Sequence, residues 1–194
     1  MKKIGGGWQY VVYDMGNDKV YKKYRNKFSR FLFILFHSKT SIFKMWQEVK
    51  RMDTEVQNSF RIIQKGKIPL DLLANPVLLG GYDYTQDFCI PLYVVFQNIS
   101  TEKGKDIIDR FIAFSLKLLD LGVIDLSFRM PTNFGLTKDG DVVLLDIGEI
   151  QDDREIIIQQ RKARYWQLPY IDASIKDKEV CAYYRKQMDT FFGL

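Results

Sequence analysis

The stretch Gly122–Ile150, GVIDLSFRMPTNFGLTKDGDVVLLDIGEI, holds the residues best placed to do chemistry. A loop delivers Asn133. Two short strands follow, Phe134–Thr137 and Val142–Leu145, joined through Lys138-Asp139-Gly140, and the second delivers Asp146 ahead of Ile147-Gly148. Turn residues between two apolar runs predict a hairpin. An amide and a carboxylate are therefore expected at neighbouring ends of one rigid unit. Two oxygen donors so placed suit a hard cation such as Mg²⁺ carrying nucleotide phosphates.

Other chemistries have little to work with. His37 is the only histidine, beside an apolar run and without a nucleophile signature, so Ser-His-Asp and Cys-His catalysis are not expected. Cys89 and Cys181 lie far apart and in no motif, which leaves no zinc site and points to a reducing, intracellular setting. Carboxylates, lysine and amides must carry any reaction. The net charge of +5 and pI near 9.0 favour phosphate-bearing partners: nucleotides, nucleic acid or an anionic membrane surface. The basic residues are dispersed and no nucleic-acid recognition module is evident, so nucleic acid is not expected. No secretory signal peptide is expected at the start, and the longest apolar block, Phe31–Phe36, is too short to span a bilayer.

The length of 194 residues suits one domain or one domain of two small lobes, and 46% hydrophobic residues suffice for a core. Residues 8–13 and 19–24 are aromatic and β-branched around the turn residues Asp14–Asp18, which predicts a hairpin. Basic residues Arg25, Lys27, Arg30 and Lys39 flank the apolar block Phe28–Phe36. That block reads as a buried helix, a membrane-surface segment or a protein-binding segment. Thr40 or Ser41 then caps a long helix whose apolar positions Ile42, Met45, Val49, Met52, Val56, Phe60 and Ile63 recur at spacings of three and four. Strands are expected over Val77–Leu79 and Phe88–Val95, with Pro91 marking a break or an edge in the second. A polar linker runs near residues 97–103. Helices follow over Asp106–Leu121 and Asp152–Trp166, and a last one starts at Ser174 or Asp177. The order predicts an α+β chain.

The sequence of candidates (a glycine run, a strand lysine, a helix glutamate, a loop Asn and a strand-end Asp-x-Gly) resembles the protein-kinase-like superfamily over roughly residues 4 to 150. The resemblance implies a two-lobed fold. Its N-lobe, residues 1–96, has an antiparallel sheet and one long helix, and its reduced, mostly helical C-lobe spans residues 97–194. The family's G-x-G-x-x-G-x-V falls on Gly5, Gly7, Tyr10 and Val12, with Gly6 inside the run and Tyr10 in place of the third glycine. Its phosphate-binding lysine falls on Lys22, which shares a face with Val20; Lys23 is on the other face. The glutamate paired with that lysine is Glu48 or Glu55, and Glu48 is chosen because it lies nearer the apolar stripe. The hinge between lobes would offer backbone groups of Gln97 and Asn98 to an adenine edge. Asn133 and Asp146 become the Mg²⁺ ligands, at the family's spacing.

Two departures matter. The catalytic loop's Asp, which handles the acceptor proton, falls on Phe128 when counted back from Asn133 and on Ser127 when counted forward from Gly122. Asp125 is the carboxylate nearby and becomes the candidate base. No Ala-Pro-Glu follows, and the short C-terminal part implies a minimal kinase closer to compact atypical and bacterial kinases than to signalling ones. The resemblance thus implies an ATP- and Mg²⁺-dependent phosphotransferase acting on a saccharide, lipid-linked saccharide or protein hydroxyl. The alternative is a pseudokinase that binds nucleotide or a partner without efficient transfer. The expected setting is cytoplasmic, with Phe28–Phe36 offering contact to the inner membrane face or to a partner protein.

Overall fold

The computed structural model describes residues 1–37 and 41–194, and every side chain among them except those of His37 and Ile157. Lys39 and Thr40, named above as a flanking cation and a candidate cap, lie outside the described residues. The chain is α+β, with an antiparallel N-terminal sheet and a mostly helical C-terminal part arranged as two lobes.

The N-terminal strands β1 (Lys2–Gly6), β2 (Tyr10–Gly16) and β3 (Lys19–Tyr24) form an antiparallel meander. Gly16, Asn17 and Asp18 turn between β2 and β3 with positive φ, a conformation that glycine and short polar side chains accept. After two helices, β4 (Val77–Leu78) and β5 (Tyr84–Asp87) complete the sheet in the order β1-β2-β3-β5-β4. Side chains alternate between faces. On one face, Tyr10 packs tilted on Tyr24 and edge to face on Tyr84, which meets Phe60 edge to face, while Val12, Val20, Lys22 and Gln86 farther along that face look over a cleft.

Helix α1 (Lys27–His37) lies on helix α2 (Ile42–Gln64). The predicted stripe of α2 is buried from Met45 to Ile63, but Ile42, expected to start it, is 63% exposed because the first turn of α2 lies beyond the core. Ser41 sits at its cap position, although its side chain makes no capping bond. On α1, Ile34 packs against Met45, Val49 and Met52, and Arg30 is buried, 2.6 Å from Asp53 and 4.6 Å above the Tyr24 ring. The inner side of the apolar block therefore completes the small lobe, and its outer side does not.

The chain crosses between lobes earlier than its polarity suggests. Ile90–Pro91 (β6) already pairs with Gly135–Leu136, so the crossing falls at Phe88–Cys89. The single strand expected over Phe88–Val95 is this two-residue strand followed by α3 (Leu92–Val95). Pro91 ends the pairing because it lacks an N–H, and its fixed φ starts the helical turn. Helix α4 (Thr101–Asp120) begins five residues before the expected Asp106. Beyond it lie β7 (Ile124–Asp125), α5 (Met130–Asn133), the ribbon β8 (Phe134–Leu136) and β9 (Val142–Leu144), and β10 (Ile150–Gln151) paired with β7. Helices α6 (Arg154–Ala163), α7 (Tyr170–Ser174) and α8 (Lys178–Phe191) close the lobe. Asp177 caps α8 by accepting from the Glu179 and Val180 N–H groups. Among the described residues, no helix is long and apolar enough to cross a membrane.

Candidate functional site

The β8–β9 ribbon brings its two ends together through backbone bonds. The Asn133 carbonyl accepts from the Leu145 N–H at 2.7 Å and the Asp146 N–H at 3.2 Å. The Asn133 side-chain amide donates to both Asp125 carboxylate oxygens, at 3.2 and 3.4 Å, and to Ser127 Oγ at 3.1 Å. Its N–H₂ group is thus spoken for, and Oδ1, which accepts from Thr132 Oγ1, is the end left to a ligand. Asp146 caps the short turn Ile147–Glu149 through its Oδ1, which accepts from the Gly148 N–H. Both Asn133 and Asp146 line a cleft of about 790 Å³.

The sheet roofs that cleft. Gly5, Gly6, Gly7 and Val12 line it from β1, β2 and the loop between them, and Val20 and Lys22 line it from β3. Gly6 needs to be glycine, since a Cβ there would stand 2.9 Å from the Tyr10 carbonyl oxygen at a φ of +156°. A Cβ on Gly5 or Gly7 would meet no protein atom within 4 Å, so the bare backbone keeps space open in the cleft. Lys22 Nζ donates to the Leu145 carbonyl at 2.8 Å and lies 5.5 Å from the Tyr84 ring centroid. Burial lowers its pKa from the usual lysine value, and the Asp146 charge pulls the other way. The loop also reaches across to the Asp-x-Gly turn. A Cβ on Gly148 would lie 2.2 Å from Gln9 Oε1 and 3.1 Å from Tyr10 Cε2, so glycine is what permits this approach.

Gly5, Gly6, Gly7, Val12, Lys22, Asn133 and Asp146 therefore meet in one cleft, whereas Glu48, Gln97, Asn98 and Asp125 do not line it. Glu48 accepts from Arg51 on the outside of α2, and Lys22 has no ion-pair partner among the described residues. The glutamate that α2 brings to the cleft is Glu55, with Arg51 and Met52. The Gln97 amide donates to the carbonyls of Tyr93 and Ser174. The connector facing the cleft is instead Gln86, Phe88, Cys89, Pro91 and Tyr93, because the crossing comes earlier. Asp125 is buried on β7 opposite Ile150, with its carboxylate held by Asn133; it buttresses the amide from behind. Phe128, with φ at +45°, turns into the lower lobe and packs edge to face on Phe191 and Phe192.

Glu149 was not expected, although a carboxylate directly after Asp-x-Gly was a signal in plain view. It lines the cleft, and its Oε2 is buried with no hydrogen-bond partner among the described residues. Burial raises its pKa, Asp146 adds to that, and a hydrogen bond from Ser127 opposes it. Asp125 is raised as well, by burial first and by Glu149 second. Glu55 is pushed up to about 7 by burial, against the pull of Arg51. Arg129 and Gln86, whose Oε1 is a buried acceptor without a partner, also face the cleft. The donor set is chemically suited to a nucleotide and a hard cation: an amide oxygen, a carboxylate, a desolvated ammonium and bare glycine backbone. Among the described residues, no group of three His, Cys, Asp or Glu side chains forms a metal site by itself, so a cation here relies on Asn133, Asp146 and its own phosphate or water ligands.

No protein-family model and no curated protein matches the chain. Solved structures similar to it include the Rv3197–erythromycin complex from Mycobacterium tuberculosis, at 15% identity and a TM-score of 0.48 over 89% of this chain. They also include WbdD, at 14% identity and a TM-score of 0.49 over 93% of this chain. A second WbdD structure, described as a bifunctional kinase-methyltransferase, gives a TM-score of 0.46 at 14% identity. The chain spans about half the length of Rv3197 (52%) and 42–43% of WbdD. Likenesses at this level carry no assignment of activity, which has to be argued from the cleft.

Proposed function

We propose that this chain is a kinase-like phosphotransferase that takes Mg-ATP into the cleft and moves the terminal phosphoryl group to a hydroxyl acceptor, saccharide, lipid-linked saccharide or protein. One observation supports this above the rest. Asn133 and Asp146 are locked together through the Asn133 carbonyl and open into the same cleft as Lys22 and Gly5–Gly7. Asn133 Oδ1 and the Asp146 carboxylate are the groups to hold Mg²⁺, which when bound neutralises charge on the phosphoryl group in transfer. Lys22 supplies a desolvated cation to the phosphates, and the glycines let backbone approach them. Gln86 and the Phe88–Cys89 backbone take the adenine edge in place of Gln97 and Asn98. Asp125 keeps the Asn133 amide turned so that Oδ1 faces the ligand.

Glu149 takes the role of base that Phe128 cannot fill. The acceptor oxygen attacks the γ-phosphorus, the bond to the β,γ-bridging oxygen breaks and ADP leaves, and the acceptor proton passes to the Glu149 carboxylate where it lines the cleft. A carboxyl with raised proton affinity suits that task near neutral pH.

A second reading has its own observation. No carboxylate of the catalytic loop lines the cleft, since Phe128 is buried in the lower lobe and Asp125 faces Asn133. A pseudokinase would bind Mg-ATP without transfer. Thermal shift with Mg-ATP, run beside an ATP-turnover assay, separates the two. The enzyme reading expects stabilisation that is lost in Asp146→Ala and kept in Asp139→Ala, with turnover lost in Glu149→Gln. Stabilisation without turnover in the wild type selects the pseudokinase. No stabilisation at any nucleotide concentration defeats both.

A further inference from the structure

The outer side of the α1–α2 pair has a composition that the cleft does not explain. From Lys19 to Gln47 the chain has eight lysines and arginines and no aspartate or glutamate. Within that stretch, the residues facing inward are already accounted for. Arg30 and Ile34 are buried on α2, and Phe31 stacks on Trp46 with ring centroids 4.9 Å apart. The residues facing outward are large and apolar: Phe28, Leu35 and Phe36 on α1, and Ile42 and Phe43 on the first turn of α2. Phe36 is 76% exposed and Phe43 is 73% exposed. Lys27 lies beside them, its side chain 70% exposed with Nζ 3.6 Å from Asp53, and Lys44 is exposed on the first turn of α2, with no ion pair among the described residues.

The pair of helices presenting this face is held from inside, by the buried Arg30–Asp53 ion pair and the Ile34 contacts. The two helices that carry these side chains are therefore anchored to the small lobe. Scattered exposed apolar residues are ordinary; five bulky ones on one helix pair, flanked by lysine in a stretch of chain without an acidic residue, are not. Such a pattern matches the water–lipid boundary. The aromatic and aliphatic side chains enter the acyl region, and the lysines meet anionic headgroups. The absence of any acid over this stretch removes the repulsion that an anionic surface would otherwise meet. The face also continues toward the cleft, since Trp8, which lines the cleft, rests 6.3 Å from Phe33 on α1.

We infer that this face docks the protein on an anionic phospholipid bilayer, with Phe36 and Phe43 as apolar anchors and Lys27 and Lys44 as headgroup contacts. The inference stands apart from the nucleotide reading, and its test involves no nucleotide. The probe is co-sedimentation of the full chain with phosphatidylcholine vesicles, with and without phosphatidylglycerol, at low and high salt. Binding is expected to be at least ~10-fold tighter to the anionic vesicles and to weaken as salt rises. Phe36→Ser combined with Phe43→Ser is expected to lower binding by ~10-fold or more. Both positions are exposed, so the double variant should keep the wild-type melting temperature. Lys44→Glu is expected to weaken binding to anionic vesicles and leave the weak neutral background unchanged. Sedimentation velocity of both proteins without lipid completes the test. Absence of vesicle binding, or equal binding by wild type and the folded double variant, overturns the inference. So does a wild-type dimer that ignores vesicles and becomes monomeric in the double variant, which would assign the face to a second copy of the chain.

Discussion

Two sides of the same cleft are built on different principles. On the lower side, Asn133 and Asp146 are positioned by backbone bonds within one short ribbon. On the upper side, α2 is positioned by side chains from distant parts of the chain. Arg30 meets Asp53, the Tyr24 hydroxyl donates to the same carboxylate at 2.8 Å, and Ser59 Oγ donates to the Ile150 carbonyl at 2.9 Å. On the lower side the Asp146 carboxylate, which caps only its own turn, can be altered with little effect on stability. The upper side carries stability and pH dependence in the groups that place it.

The largest effect that would sharpen this contrast is on the upper side. Asp53→Ala strands the Arg30 guanidinium, which is 1% exposed, and is expected to cost ~3–5 kcal/mol of unfolding free energy in a denaturant titration. A loss below ~1 kcal/mol would mean that α1 is not anchored through this pair. On the lower side, Asn133→Ala should lower ATP turnover by ~10²-fold or more, and because it leaves the buried Asp125 carboxylate without its side-chain donor it should also cost ~1–3 kcal/mol of stability. Unchanged turnover would remove Asn133 from the cation site.

Glu55 comes next. Its folded pKa of about 7 lies above its ordinary value, so the folded state holds the proton more tightly than the unfolded chain does. The cost of ionising it is absent below the unfolded pKa and fully present above about pH 7. Wild-type stability should therefore decline as pH rises through that window, by up to ~3 kcal/mol relative to Glu55→Gln, which should show no such component. Parallel pH profiles for the two proteins would contradict the burial of that carboxylate. The smallest effect belongs to Glu48→Gln. Its exposed pairing with Arg51 should be worth less than ~0.5 kcal/mol, and turnover should be unchanged. A large drop in turnover would restore Glu48 as the partner of Lys22.

The uneven success of sequence reasoning follows the same division. Lys22 was legible because strands alternate with period two, which puts it on the face of Val20 and leaves Lys23 on the other. Glu48 was chosen over Glu55 for its nearness to the apolar stripe, whereas α2 brings Glu55 to the cleft. Seven residues are close to two helical turns, so both sit on nearly the same stripe, ~10 Å apart along the axis. Periodicity sets the face; only the axial position of α2 against the sheet decides which glutamate reaches the cleft. Gln97 and Asn98 missed because Pro91 ends the strand early and moves the crossing to Phe88–Cys89. Asp125 missed because its pairing with Ile150 buries it beneath Asn133, and Glu149, next to that partner, takes the open position.

The linear chain by itself determined the elements and what each ribbon end must carry. Alternation, helical spacing and turn chemistry act over a few residues, and backbone hydrogen bonds inherit that short range. Only the tertiary structure decided which carboxylates open to the cleft and which are sealed behind it. Burial and unpaired lone pairs depend on elements that meet across long sequence separations, such as β7 with β10 and α2 with the sheet. The protonation of Glu55, Asp125 and Glu149 follows from that meeting and not from their neighbours in the chain.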